Sequence, residues 1–371
     1  MAINSVQIRN PDCSSLNEKG ISQMIAKLSE QKNYLGRLVP GFAALILAAS
    51  PAVAQTYTVT DLGTLGANDR GSYSEAFCIN STGQVAGQSS ASSPSMTDPA
   101  FLYVNGQLNS LGTLGGEYGQ ARGINTSGQI AGYSTLLSGS YRAFLYTGGQ
   151  MTDLGTLGAD YSAAYALNDS GQVVGVSEQI PGQERAFLYS NGQMTDLGTL
   201  GGPTSAAYSI NNRGVIAGYS YNAAGNFLGF IYRNGTMTAL GTLGGSWSIA
   251  YAINDRNQIT GQAYTKNNLT AHAFRYANGR MADLGALGGS SSYGSAINNS
   301  GTVVGLSAIQ NASYHAFIST NGGKMQDLNS MIPTGTGWVL EEGAAINDAG
   351  QIAGYGTLVG QTHAFLLTPA Q

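Results

Sequence analysis

Side chains typical of catalytic and nucleic-acid-binding proteins are scarce in this chain. Charged residues make up 10% of its 371 residues, and the formal net charge is −4. The 16 lysines and arginines form no basic stripe, so nucleic-acid binding has no support. Two cysteines cannot build a disulfide-rich scaffold, and the one beyond residue 54, Cys78, is expected to be a buried, inert thiol.

The chain also has no apolar run of the length that a membrane span needs. The run Val39–Ala49 is well below the required length of about 20 residues, so we expect no transmembrane span. Basic residues precede this run and Ala52-Val53-Ala54 follows it, which is the pattern of a secretory signal. We predict a signal region over 1–54, cleaved after Ala54, and an extracellular or periplasmic protein. Translation from Met1 or from Met24 fits equally.

The remaining residues, 55–371, consist of one sequence unit repeated seven times. An Asp-Leu-Gly step, an Ile/Leu-Asn pair and a small-residue-Phe pair recur in order. The leucine of the first step recurs at Leu62, Leu111, Leu154, Leu197, Leu240, Leu284 and Leu328, with spacings of 43 to 49 residues. A period of about 40–45 residues fits a four-stranded propeller blade.

Each unit contains four short apolar runs bounded by glycine, asparagine or serine. In the third unit these are strand a (163–167), strand b (172–176), strand c (185–189) and strand d (193–197). No unit contains a run with helical spacing, and 53 glycines suit tight turns better than helices. The asparagines that follow strand a are expected to form turns. We therefore predict an all-β, seven-bladed β-propeller that forms a single domain.

The two ends of the repeat region predict how the ring closes. Residues 57–62 form a lone strand d, and 363–367 form a strand c without a following d. Pairing the two completes the seventh blade and leaves no open edge. Strand a then lines the axis. Small residues stand three places and one place before its Ile/Leu, and alternation predicts that both lie on one face, opposite the Ile/Leu.

The tripeptides at His272, His315 and His363, each His-Ala-Phe, and the Asp-Leu-Gly-Thr-Leu-Gly-Gly segments together resemble a known repeat family. This is the bacterial extracellular HAF-repeat family, named for that tripeptide, and the resemblance covers all of 55–371. Four units depart from it, with Pro99, Arg142, Arg185 and Leu228 in place of histidine. The resemblance implies an exported protein and brings no activity or catalytic residues.

No catalytic, metal or cofactor site emerges from the motifs. The three histidines occupy equivalent positions in different blades, too far apart for one metal site with bonds near 2.0–2.1 Å. The Asp before Leu is replaced by Ser110 and Ala239 in two units, which suits a turn role. There is no nucleophile elbow or phosphate loop. Glu341 and Glu342 are the only closely spaced pair of acidic residues that could serve catalysis.

Recognition is expected on one face of the ring. The d-to-a and variable b-to-c loops share this face, which we call the loop face; the tight a-to-b and c-to-d hairpins form the turn face. Six aromatic residues are expected to ring the channel mouth on the loop face, and they are the candidate ligand-binding residues: Tyr73, Tyr118, Tyr161, Trp247, Tyr293 and Trp338. Packing between blades is the alternative role for these rings.

These features predict a secreted, monomeric, non-catalytic binding module. Its partner would be an extracellular glycan or protein, because exposed aromatic rings stack on sugars and anchor protein contacts. The alternatives are a hydrolase or lyase that acts on extracellular polysaccharide, and a structural component of an extracellular assembly.

Overall fold

A computed structural model of the chain describes residues 56–66, 71–91, 97–310 and 313–370. The strands in the first half of the ring are β1 (Tyr57–Asp61), β2 (Ser74–Ile79), β3 (Val85–Ser89), β4 (Ala100–Val104), β5 (Gln107–Gly112), β6 (Gly115–Ile124), β7 (Ile130–Leu136), β8 (Tyr141–Thr147), β9 (Gln150–Asp153), β10 (Ser162–Leu167), β11 (Val173–Ile180), β12 (Gln183–Ser190) and β13 (Gln193–Asp196). The others are β14 (Gly201–Ile210), β15 (Ile216–Asn222), β16 (Phe227–Arg233), β17 (Thr236–Ala239), β18 (Gly244–Ile253), β19 (Ile259–Thr265), β20 (Ala271–Ala277), β21 (Arg280–Gly285), β22 (Ser292–Ile297), β23 (Val303–Ala308), β24 (Tyr314–Ser319), β25 (Gln326–Asp327), β26 (Trp338–Ile346), β27 (Ile352–Leu358) and β28 (Gln361–Pro369). Two 3-10 turns, Lys266–Asn268 and Leu328–Met331, are the helical segments of the described residues.

The strands form seven four-stranded antiparallel sheets, the blades of a β-propeller. Blades 1 to 6 use consecutive strands, from β2–β5 to β22–β25, as strands a to d. Blade 7 takes a, b and c from β26, β27 and β28, and takes its strand d from β1. Five residue pairs join β1 to β28, from Tyr57 with Pro369 to Asp61 with Phe365. The predicted fold and its closure by the N-terminal strand are confirmed.

Strand a of every blade carries a β-bulge, which the sequence pattern did not reveal. In β10, Ala164 pairs with Gly175 and Ala166 with Val174, so Tyr165 is the extra residue. Ala164 and Leu167 pack toward blade 2, whereas Ala166 packs toward blade 4. The prediction that both small residues share one face, opposite Leu167, is therefore wrong. A bulge reverses the alternation and re-aims its extra side chain.

One glycine of strand b makes room for each bulge. A Cβ on Gly175 would overlap the backbone oxygen of Ala163, and the corresponding glycine of the other six blades faces the same obstacle. These glycines are Gly87, Gly132, Gly175, Gly218, Gly261, Gly305 and Gly354. The glycine that recurs in strand b is thus required by the close approach of strand a.

The hydrophobic core lies between adjacent blades. The phenylalanine of each strand c is fully buried there: Phe101, Phe144, Phe187, Phe230, Phe274, Phe317 and Phe365. Phe187, for example, packs with Ala143 and Leu154 of the preceding blade. Cys78 is also buried, as predicted, and burial raises the pKa of its thiol to about 12.

A circle of seven buried asparagines joins the blades on the turn face. The Nδ2 of each asparagine donates to the backbone oxygen of its counterpart in the next blade, over 2.7 to 3.2 Å. The circle, which we call the clasp ring, consists of Asn80, Asn125, Asn168, Asn211, Asn254, Asn298 and Asn347. The Oδ1 of Asn168 also accepts from the amides of Ser170 and Gln172. The predicted turn role is confirmed, and the inter-blade bond is added to it.

The repeated basic and acidic residues pair within a blade, between strands c and d. The Nδ1 atoms of His272, His315 and His363 lie 3.0, 2.7 and 2.9 Å from the carboxylates of Asp283, Asp327 and Asp61. Arg142 and Arg185 face Asp153 and Asp196 in the same way. The two blades without the acid have Ser110 and Ala239 at its position, and they carry Pro99 and Leu228 at the position of the base. Each blade therefore has either both the basic and the acidic residue or neither of them.

The predicted signal region, 1–54, lies outside the described residues. Within the described part of the chain, no helix has the length and hydropathy that crossing a membrane requires.

Candidate functional site

The loop-face half of the central channel is a cavity of about 560 Å³. The side chains that line it come from strands a and b of the blades, and seven of them are aromatic: Phe77, Tyr133, Tyr165, Tyr208, Tyr251, Tyr293 and Tyr355. Phe77, Tyr165, Tyr208 and Tyr251 are bulge residues of strand a. The volume of the cavity lies in the range typical of small-molecule sites.

One side of the cavity is a continuous wall of tyrosines. Ring centroids lie 5.1 Å apart for Tyr165 and Tyr208, 5.5 Å for Tyr208 and Tyr251, and 5.8 Å for Tyr251 and Tyr293. We call these four residues the tyrosine arc. Burial raises the pKa of Tyr251 to about 12, so the arc is neutral at physiological pH.

The blades on the other side, 7, 1 and 2, carry polar groups in strands a and b, and two of these groups, Arg122 and Glu342, line the cavity. We call Glu75, Gln88, Gln120, Arg122 and Glu342 the polar arc. Gln88 and Gln120 are 2% and 6% exposed, and the Nε2 of Gln120 donates to the Oε1 of Gln88 over 2.7 Å. In blade 3 the positions of Gln120 and its partner Tyr133 are taken by Ala163 and Val176.

Glu342 is held by three hydroxyl groups. Its Oε2 accepts from Tyr293 and Tyr355, both at 2.8 Å, and its Oε1 accepts from Ser295 at 2.7 Å. The residue is 9% exposed. These neutral donors satisfy the hydrogen-bonding capacity of the buried carboxylate, and the bonds from Tyr293 and Ser295 connect blade 6 to blade 7.

Glu75 lies close to the charged groups of blades 7 and 2. Burial raises its pKa, and the charges of Glu342 and Glu341 raise it further, against the opposing effect of Arg122. The Glu341 carboxylate accepts from the Thr357 hydroxyl at 2.6 Å.

Within the described residues, no group of three or more His, Cys, Asp or Glu side chains is arranged to hold a metal ion.

Arg122 is the basic residue of the cavity. Its guanidinium carbon lies 4.6 Å from the centre of the Phe77 ring, a cation–π geometry. Its Nη1 donates to the Oε1 of Gln120 over 3.4 Å, which is a long hydrogen bond. Arg122 is the extra residue of the strand a bulge in blade 2, so the bulge directs it toward the axis.

The six predicted aromatic residues are not gathered in one ring. Tyr293 lines the cavity. Tyr73 and Tyr118 bond to Gln88 through their hydroxyls, at 2.8 and 2.9 Å, and so support the polar arc. Tyr161, like Tyr133 and Tyr165, packs on the buried cluster of Ala163, Val176 and Ala206.

The two tryptophans among these six lie away from the channel. Trp247 packs on Tyr264, with ring centroids 4.7 Å apart, and Trp338 packs on Phe365 at 5.8 Å. Both tryptophans therefore pack on other aromatic rings, which is the alternative role considered for the six candidate residues.

The bulge residues of the cavity were missed because alternation alone does not reveal a bulge. Two signals could have found them. Tyrosine recurs two places before the Ile/Leu in three consecutive units, at Tyr165, Tyr208 and Tyr251. A glycine also recurs inside strand b. Glycine weakens the interior of a strand, so its recurrence there indicates a bulge or a close approach of another backbone segment.

The b-to-c loops place large apolar side chains in solvent around the loop face. Leu137, Leu269 and Val359 are 90%, 79% and 86% exposed, and each stands at the tip of a b-to-c loop. Val359 adopts φ +50°, where a β-branched residue is strained. The loop face thus combines apolar tips with an aromatic cavity.

Comparison with solved structures finds proteins that are similar to this chain in fold. A puromycin-hydrolyzing peptidase from Mycobacterium tuberculosis has a TM-score of 0.51 at 12% identity, over 76% of this chain and 48% of that chain. The β-propeller domain of the Trilobed protease from Pyrococcus furiosus gives 0.47 at 12%, over 67% and 82%. TolB from Acinetobacter baumannii gives 0.40 at 14%, over 66% and 64%.

The chain spans about half the length of that peptidase and less than two thirds of that TolB chain. At such identities the likeness shows the fold alone. Comparisons with protein-family models and with curated proteins give no match.

Proposed function

We propose that the chain is an exported, non-catalytic propeller that binds a glycan at the loop-face mouth of its channel. The observation that carries this proposal is the tyrosine arc inside a cavity of about 560 Å³. Aromatic faces stack on the apolar faces of sugar rings, and polar groups beside them fix orientation. Arg122 of the polar arc, which lines the cavity, supplies such a group. Export rests on the signal pattern of 1–54, and membership of the HAF-repeat family stays a prediction.

A glycan array probed with the purified protein tests this function. Tyr165→Ala and Tyr208→Ala should weaken binding about tenfold or more, because each removes a central stacking surface. Tyr189→Ala, in strand c and outside the cavity, is the matched control and should bind normally. An array without a single bound glycan would remove the proposal.

A protein partner is the second candidate, and the exposed b-to-c tips favour it. Leu137, Leu269 and Val359 are large apolar side chains exposed at loop tips, where a protein partner could bury them. A pull-down from the native extracellular medium would test this, with Leu137→Ser and Leu269→Ser as variants. Loss of a captured protein in both variants, with glycan binding intact, would assign the tips to that partner.

A polysaccharide hydrolase or lyase has weaker support. Glu342 is occupied by three hydroxyl donors, and Glu341 bonds to Thr357, so both carboxylates serve packing contacts. General acid–base catalysis needs a carboxyl group that can reach substrate. If the protein degraded a polymer and Glu341→Gln abolished that activity, the non-catalytic proposal would be wrong.

A further inference from the structure

Arg122 breaks the pattern of the seven bulges. The other six bulge positions hold aromatic or small residues: Phe77, Tyr165, Tyr208, Tyr251, Ser295 and Ala344. Arg122 alone brings a charge to this position, and it lines the same cavity as the tyrosine arc. A departure from the repeat inside the candidate site is where ligand specificity is expected.

The hydrogen-bonding capacity of Arg122 is largely unused. A guanidinium carries five N–H donors, and the protein partner it has among the described residues is the Gln120 side chain, at 3.4 Å. No carboxylate of the described residues lies within 4.0 Å of it. The guanidinium carbon lies 4.6 Å from the centre of the Phe77 ring, a contact that uses none of its N–H donors for a conventional hydrogen bond.

The acidic groups nearby do not supply the missing partner. Both oxygens of Glu342 are engaged by hydroxyl groups of Tyr293, Tyr355 and Ser295. Glu75 does not line the cavity, and burial together with Glu342 raises its pKa, which weakens its negative charge toward acidic pH. Glu341 is bonded to Thr357. Arg122 is therefore the charged group with donors still open to a ligand.

We infer that the bound glycan carries a carboxylate, as a uronic acid does, and that Arg122 holds this carboxylate while the tyrosine arc stacks on the sugar ring. The inference rests on the proposed glycan-binding function. A guanidinium fork binds a carboxylate through two parallel hydrogen bonds, which gives specificity as well as affinity. The distance from blade 2 to the arc is bridged by Tyr133, whose ring lies 6.4 Å from that of Tyr165.

An array of short oligomers of glucose, glucosamine and galacturonic acid tests this, with methyl-esterified galacturonic acid as the uncharged match. The purified full chain should bind the acid at least about tenfold more tightly than its ester. Arg122→Gln should remove that preference, because it should weaken binding of the acid at least about tenfold more than binding of the ester. Arg213→Gln, an exposed arginine of the turn face, is the control for net charge and should behave as wild type.

The outcomes separate the two proposals. Binding of glucose or glucosamine oligomers in preference to the acid, or an acid preference that survives Arg122→Gln, overturns the role of Arg122 while glycan binding stands. Failure to bind any of these oligomers overturns the role of Arg122, and failure to bind any glycan of the wider array as well overturns both proposals. Melting curves of the two arginine variants show whether a loss of binding reflects unfolding.

Discussion

The turn face and the loop face of the ring follow opposite rules. On the turn face all seven blades contribute the same residue, and the clasp ring closes with seven equivalent bonds. On the loop face, the bulge positions that line the channel differ from blade to blade, with tyrosines in blades 3 to 5, Phe77 in blade 1, Arg122 in blade 2, Ser295 in blade 6 and Ala344 in blade 7. Repetition therefore marks what holds the ring, and departure from repetition marks the candidate site.

The clasp ring should show the largest effect on stability. Asn168→Ala removes the bond to Asn211 and both turn bonds, and should cost about 2–3 kcal/mol. Asn168→Asp keeps the turn acceptor and loses the inter-blade donor, so it should cost about 2 kcal/mol. Denaturant unfolding measures both.

Ser170→Ala, at an exposed position of the same turn, is the control and should change stability by less than about 0.5 kcal/mol. If Asn168→Asp were as stable as the wild type, the inter-blade bond would not contribute to holding the ring.

The polar arc should behave in the opposite way, because one of its groups opposes folding at neutral pH. The raised pKa of Glu75 means that the folded chain holds this proton more tightly than the unfolded chain. The stability it contributes is full below the ordinary pKa of about 4.3 and is lost as pH rises through the raised value. Glu75→Gln should therefore raise the melting temperature at pH 7 and leave it nearly unchanged at pH 4.

Glu117→Gln, at an exposed position of the loop face, is the matched control for the loss of one carboxylate and should change the melting temperature little at pH 7. A Glu75→Gln variant that is less stable than the wild type at pH 7 would show that the carboxylate is a favourable part of the fold.

The strand c to strand d pairs should show the smallest effect, because they are repeated but partly exposed. A double-mutant cycle on Arg185→Leu and Asp196→Ala should give a coupling of about 0.5 kcal/mol, as for other surface ion pairs. The double variant copies the Leu228 and Ala239 arrangement of blade 4. A coupling above about 2 kcal/mol would place this pair among the main stabilising contacts of the ring.

The fold was predictable from the sequence because its information is local and repeated. Turn residues, strand alternation and the broken ends at 57–62 and 363–367 determine blade number and closure without any long-range knowledge. The candidate site was less accessible. The sequence placed the candidate aromatic residues in the d-to-a loops, whereas the bulge turns the residue two places before the Ile/Leu, such as Tyr165, into the channel.

Pairing was also hidden from the sequence. His363 and Asp61 are 302 positions apart in the chain, and their contact depends on ring closure. The hydrogen bonds of Gln88 and Gln120 cross from blade 1 to blade 2, and nothing in either unit alone predicts them.

The seam between β1 and β28 also sets a time order for folding. Six blades can form from neighbouring segments as soon as these exist, but the seventh needs the first and the last strands together. Bringing together ends that are about 300 residues apart costs on the order of 5 kcal/mol of chain entropy. Tyr57–Asp61 therefore stays an unpaired edge until the C-terminal strand is available. Contacts between residues so far apart in the sequence slow folding. A chain that is truncated or stalled before ring closure would therefore expose an unpaired strand edge to other protein chains.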